Sequence, residues 1–120
     1  MKYLCLVYYR ESEVAQMSPD DWLALNHECV AFGDEITATG HRRGGSALEP
    51  THTAVTVRVR EGQTTVTDGP FAETREQLAG FYLLDAADMD EAVRTASRIP
   101  PARFGSIEIR PVRTLPTPPA

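Results

Sequence analysis

Asp68-Gly69-Pro70-Phe71-Ala72-Glu73-Thr74-Arg75-Glu76-Gln77-Leu78-Ala79-Gly80-Phe81-Tyr82-Leu83-Leu84 joins a turn, a charged segment and an apolar strand. Asp-Gly-Pro is turn chemistry: a short side chain that bonds nearby backbone, a residue that tolerates positive φ, and one that fixes φ and lacks a donor. Glu73, Arg75 and Glu76 follow, and with Asp68 they make a charge-dense stretch. Gly80 then opens a run with Phe81 and Leu83 on one face and Tyr82 and Leu84 on the other. A strand that is apolar on both faces belongs at the centre of a sheet, covered twice.

Residues 2–9 carry the same double pattern, with Leu4, Leu6 and Tyr8 alternating with Tyr3, Cys5, Val7 and Tyr9. Two other segments have one wet face. Val55, Val57 and Val59 alternate with Thr56, Arg58 and Arg60 over residues 53–60, and Ile107 and Ile109 alternate with Ser106, Glu108 and Arg110. Pro111 suits a sheet edge. Ser18-Pro19-Asp20-Asp21 starts a helix with Ser as N-cap, Pro in the first position and acids in the first turn; the helix runs to about Thr39, before Gly40. Its apolar stripe is Trp22, Leu25, Cys29, Phe32, Gly33 and Ile36, with His27 roughly opposite. Residues 10–17 and His41-Arg42-Arg43-Gly44-Gly45-Ser46 read as loops. Glu61-Gly62-Gln63 closes a hairpin that returns through Thr64 to Thr67. Asp88 and Glu91 have capping-box spacing for a second helix, with Met89, Val93, Ala96 and Ile99 on one face and Pro100-Pro101 as its stop.

The resulting order is α+β, a ferredoxin-like β-α-β-β-α-β with an extra hairpin. The doubly apolar strands take the centre of its sheet and the one-faced strands, 53–60 and 106–112, its edges. Helices cover one face only, so the other presents apolar side chains to a partner; a second copy of the chain is the simplest one.

At 120 residues the chain suits one domain, with residues 1–113 folded and 114–120 a Pro-rich tail. A net charge of −5 and no extended basic face argue against nucleic acid. The N-terminal apolar run is too short for a signal segment or a membrane span, which gives a cytoplasmic expectation with no membrane partner. Cys5 and Cys29 lie in apolar stretches and read as free thiols. His27, His41 and His52 have no paired spacing, so no metal is expected. With no phosphate loop, nucleophile elbow or dinucleotide fingerprint, no cofactor is implied.

The Asp68–Tyr82 stretch resembles the signature of DGPF-domain proteins, in the YCII-related superfamily of dimeric α+β barrels. Met1-Lys2-Tyr3-Leu4, Gly44-Gly45-Ser46-Ala47-Leu48, Thr65-Val66-Thr67 and Gly105-Ser106-Ile107-Glu108-Ile109-Arg110-Pro111-Val112 extend the resemblance to nearly the whole chain, up to about Val112. It implies a homodimer with a cleft between helix and sheet. It also implies a His and an Asp suspected of acid–base chemistry, as in related proteins; some relatives act as small lyases, dehalogenases or isomerases. Proteins of this type often accompany extracytoplasmic-function sigma factors, which implies a regulatory role. Asp68 stands where the motif's Asp belongs, and Arg75 where Lys is common.

The candidate catalytic residues are therefore Asp68 and His27, and the candidate ligand-binding residues are Gly69, Pro70, Phe71, Glu73 and Arg75. Each has a plainer reading: Asp68 as a turn-former, His27 as a solvated helix position, Phe71 as core, and Glu73, Arg75 and Glu76 as a surface ion-pair cluster. Two functions stay open. One is cofactor-independent acid–base chemistry on a small metabolite. The other is a non-catalytic ligand-binding or regulatory dimer associated with a sigma factor.

Overall fold

The computed structural model describes residues 1–119. Its elements are β1 (Lys2–Tyr9), α1 (Glu11–Val14), α2 (Pro19–Ala38), β2 (Arg42–Ala47), β3 (Val55–Arg60), β4 (Gln63–Asp68), β5 (Gln77–Asp85), α3 (Met89–Ala96) and β6 (Ser106–Pro111). Four strands form an antiparallel sheet in the order β2-β5-β1-β6, and β3 pairs with β4 alone. This is the ferredoxin-like arrangement, with a hairpin inserted between its second and third strands. β1 and β5 are central, as their doubly apolar pattern requires.

Register explains the core. Cys5 lies opposite Tyr82 on one side and Ile109 on the other, and Val7 lies opposite Gly80 and Ile107. These residues share the face on which both long helices pack. Cys5, Leu84, Ile36 and Ile99 are fully buried there, and Phe32 meets the Tyr82 ring edge-on at 5.4 Å. Leu4, Leu6, Tyr8, Phe81 and Leu83 occupy the opposite face and are only half-buried.

The helix starts follow the caps. Ser18 Oγ accepts the Asp21 N–H at 3.1 Å, and Asp88 Oδ1 accepts the Glu91 N–H at 2.9 Å. Each satisfies a donor that has no partner inside the helix. After α2 the chain turns through Gly40 at φ 81°, and the His41 N–H closes onto the Ile36 carbonyl at 2.9 Å.

Four local expectations are corrected. The second strand of the main sheet is Arg42–Ala47, not residues 53–60: the basic Gly-Gly segment is β2, an edge strand on β5. Edge strands are held by backbone pairing and need little apolar pattern. Residues 53–60 are instead one arm of the free hairpin, and its valines, Val55, Val57, Val59 and Val66, stay 56–64% exposed on one face. Part of the 10–17 loop is the single turn α1. In α3 the buried face is Ala92, Thr95 and Ala96, with Met89 half-buried beside it, while Val93 is exposed.

Candidate functional site

A cavity of ≈ 940 Å³ opens between α2 and the β2–β5 side of the sheet. Its walls follow from the fold. α2 crosses the sheet so that Phe32 and Ile36 seal the core, while Trp22, Leu25, Asn26 and Cys29 line the gap. Val7, Leu48 and Tyr82 form the sheet side, and Val14 and Met17 close one end. The volume falls within the usual range for small-molecule sites, and the lining is mostly apolar with a few polar groups.

Two of those polar groups are held by specific partners. The Glu11 carboxylate accepts the Thr51 N–H and the Thr51 hydroxyl, each at 2.8 Å, and the Glu11 N–H donates to Gln77 Oε1 at 3.0 Å. Arg42, half-buried at the start of β2, donates from Nη2 to the Gly45 carbonyl at 3.3 Å. Its guanidinium carbon lies 6.0 Å from the centre of the Tyr82 ring. Among the described residues no carboxylate pairs with it.

Burial pushes up the pKa of Tyr9, Cys29 and Tyr82, all of which line the cleft. They are therefore mostly protonated near neutral pH, a state that suits hydrogen-bond donation.

The residues singled out by the sequence lie elsewhere. Asp68 ends β4 opposite Val55, and its exposed carboxylate has no hydrogen-bond partner among the described residues. The turn is held by backbone: Gly69 sits at φ 97°, its N–H bonds the Ala54 carbonyl at 2.7 Å, and its carbonyl accepts the Thr56 hydroxyl at 2.9 Å. Pro70, Glu73 and Arg75 are exposed, and Phe71 is 79% exposed rather than core. Glu73, Arg75 and Glu76 form no ion pair among the described residues; Glu76 accepts the Ser106 hydroxyl at 2.7 Å. His27 is exposed on α2. Neither His27 nor any residue from Asp68 to Arg75 lines the cleft, so the structure does not bring His27 and Asp68 together there. Among the described residues no three His, Cys, Asp or Glu side chains converge as a metal site, and no helix is long and apolar enough to cross a membrane.

Glu11 and Arg42 lie in segments whose sequence reads as loop, so no local pattern marks either. Cys29 and Trp22 were seen as helix stripe, but nothing local distinguishes the stripe's cleft end from its core end.

The two thiols give a direct check. Cys5 is fully buried with its pKa pushed up to about 11, whereas Cys29 is half-buried in the cleft wall. At pH 7.5 Cys5 has on the order of a hundredfold less thiolate than an ordinary thiol. A maleimide should label one thiol per native chain, at Cys29, and two after denaturation without reductant. One thiol in the denatured count means that a cysteine is oxidised.

Comparison with known proteins agrees with the resemblance. The family model for the YCII-related domain matches residues 1–116. The chain is also similar to an uncharacterized protein of Rhizobium meliloti (strain 1021), R00369, with 39% identity over 114 residues, covering 93% of this chain and 92% of that protein. A family match over almost the entire chain, a ferredoxin-like sheet and a cleft between helix and sheet converge: this chain belongs to the YCII-related family.

Proposed function

We propose that this protein binds a small molecule in the cleft between α2 and the sheet, and that it does so as a homodimer joined through the open sheet face. The carrying observation is the ≈ 940 Å³ cavity with an apolar wall and an unpaired guanidinium. Binding is favoured over proton transfer because Asp68 and His27, the candidate acid–base pair, both lie outside the cleft. The dimer is supported by the half-buried Leu4, Leu6, Phe81 and Leu83 on the face that the helices leave uncovered.

A second reading keeps the Asp68 turn as an acid–base site. One observation favours it. Asp68 lies on the same side of the hairpin as Val57 and Val66, so whatever covers that valine face also encloses its carboxylate.

The two readings part under Asp68→Asn. The carboxylate has no hydrogen-bond partner among the described residues, so stability should change by less than about 0.5 kcal/mol. A metabolite library screened by the fluorescence of the single tryptophan, Trp22, should yield ligands that also slow Cys29 labelling. Their affinity should stay within about twofold in Asp68→Asn. Ligands that leave Cys29 labelling untouched, and lose binding in Asp68→Asn, would move the site to the turn.

A further inference from the structure

We infer that the cleft receives a small organic acid with a single negative charge, its carboxylate on Arg42 and its apolar body along Trp22, Leu25 and Leu48. This rests on the reading of the cleft as the ligand site, and names the ligand's chemical class.

Arg42 is the observation that carries it. A half-buried guanidinium normally meets a carboxylate, because an unpaired charge loses hydration. Here its protein contacts are one carbonyl at 3.3 Å and the Tyr82 ring face. That leaves most of its five N–H donors unused by the protein, in the fork geometry that suits a planar carboxylate. The side chain is also fitted into place. Gly33 is a buried glycine inside α2, where glycine costs about 1 kcal/mol relative to alanine. A Cβ there would lie 3.2 Å from Arg42 Nη1, so the missing side chain makes room for the guanidinium.

The rest of the wall sets the charge and shape of the ligand. Among the lining residues Arg42 is the sole cation, against Glu11, Asp34 and Glu49. A phosphate dianion normally draws several cations or a cluster of backbone N–H groups, whereas this wall offers a single cation beside three acids. Glu11 is tied to Thr51, and Asp34 and Glu49 are exposed to water, so a monoanion seated on Arg42 is balanced by the one half-buried guanidinium. The long apolar surface beyond it fits an aliphatic or aromatic body rather than a sugar or a polyol.

The test uses phenylacetate and hexanoate, their neutral amides phenylacetamide and hexanamide, and inorganic phosphate. Trp22 fluorescence and protection of Cys29 from maleimide report binding. The acids should bind at least about tenfold more tightly than the amides, and phosphate more weakly than either acid. Arg42→Gln should weaken the acids by roughly 10- to 100-fold and leave the amides unchanged, removing the preference. Gly33→Ala keeps the charge and improves the helix, so it serves even if Arg42→Gln folds poorly. Its added methyl would lie 3.2 Å from Arg42 Nη1 and oblige the guanidinium to shift by a few tenths of an ångström, so it should weaken the acids by about threefold without lowering the melting temperature. Acids and amides that bind equally and both protect Cys29 would overturn the carboxylate assignment while leaving the cleft as the site. Phosphate binding as tightly as the acids would overturn it too. Failure of every probe to protect Cys29 would overturn both this inference and the cleft reading.

Discussion

Gly105→Ala should cost about 4 kcal/mol or more and lower the melting temperature by about 15 °C. A Cβ at Gly105 would collide with the Tyr8 carbonyl oxygen and lie 3.0 Å from Tyr9 Cβ and 3.1 Å from the Tyr8 carbonyl carbon. The obstacle is backbone, not the flexible end of a side chain. It is backbone that cannot yield, because β1 is paired on both sides, with β5 and with β6. Nor can Gly105 retreat easily: its N–H bonds the Pro101 carbonyl at 2.7 Å, and β6 begins at the next residue. Substitution must therefore part β6 from β1 near Tyr8. Gly62→Ala is the control. Gly62 sits at φ 74° in the hairpin turn with nothing within 4 Å of a built Cβ, so only the backbone penalty of about 1–2 kcal/mol applies. Urea unfolding of the two variants should separate them by at least about 2 kcal/mol. Equal losses would mean that the approach of Gly105 to β1 is not a constraint on the fold.

How much of this was legible beforehand depends on the range of the interaction that decides each element. β1 and β5 announce themselves, because a strand buried on two faces must be apolar at every position. The starts of α2 and α3 are equally local: Ser18 and Asp88 each satisfy a backbone donor three residues away. β2 is different. Arg42-Arg43-Gly44-Gly45-Ser46-Ala47 has no apolar period, and it is a strand because β5 has a free edge beside it. That edge exists only once the sheet has assembled. The valine alternation of β3 is a true strand signal, yet alternation states which residues share a face and not what the face meets. The alternation alone suits an edge of the main sheet, but β2 already occupies that edge.

The site was less legible than the fold for the same reason. The charge density of Asp68 to Glu76 drew attention because it is contiguous in sequence. The cleft assembles Glu11, Trp22, Cys29, Arg42 and Tyr82 from α1, α2, β2 and β5, and apart from Trp22 and Cys29 on the α2 stripe no two of these share a local pattern. Arg42 reaches the ring of Tyr82 through the β2–β5 register, which slips by one residue between Arg42 and Gly44. A slip of that kind decides which face a side chain occupies and leaves no trace in composition. Gly33 was the one available sign: a glycine within a helix stripe, opposite nothing that the sequence itself could name.

Leu6→Glu should convert a homodimer into a folded monomer. Wild type should scatter light as about twice 13.2 kDa at low micromolar concentration, and the variant as a single chain. Leu6 sits mid-strand in β1 on the open sheet face, opposite Phe81 on β5 and Glu108 on β6. In an isolated chain it is half-buried, so a glutamate there can reach water and should cost about 1 kcal/mol. Under a second copy the same carboxylate would be desolvated without a partner, beside the like charge of Glu108, at a cost of several kcal/mol. That difference falls on association alone and should raise the dissociation constant by more than about 100-fold. Charge does not oppose pairing in the wild type, since the β6 side of this face carries one acid, Glu108, and one base, Arg110. The chain's proportions point the same way. A thickness of 19 Å against lengths of 48 and 43 Å describes a slab of one sheet layer and one helix layer. A slab with apolar residues on one broad face would be half of a two-layer core, and the proposed second copy would supply the other half. A wild-type chain that remains monomeric at tens of micromolar, or a Leu6→Glu variant that remains dimeric, rules the sheet face out as the interface.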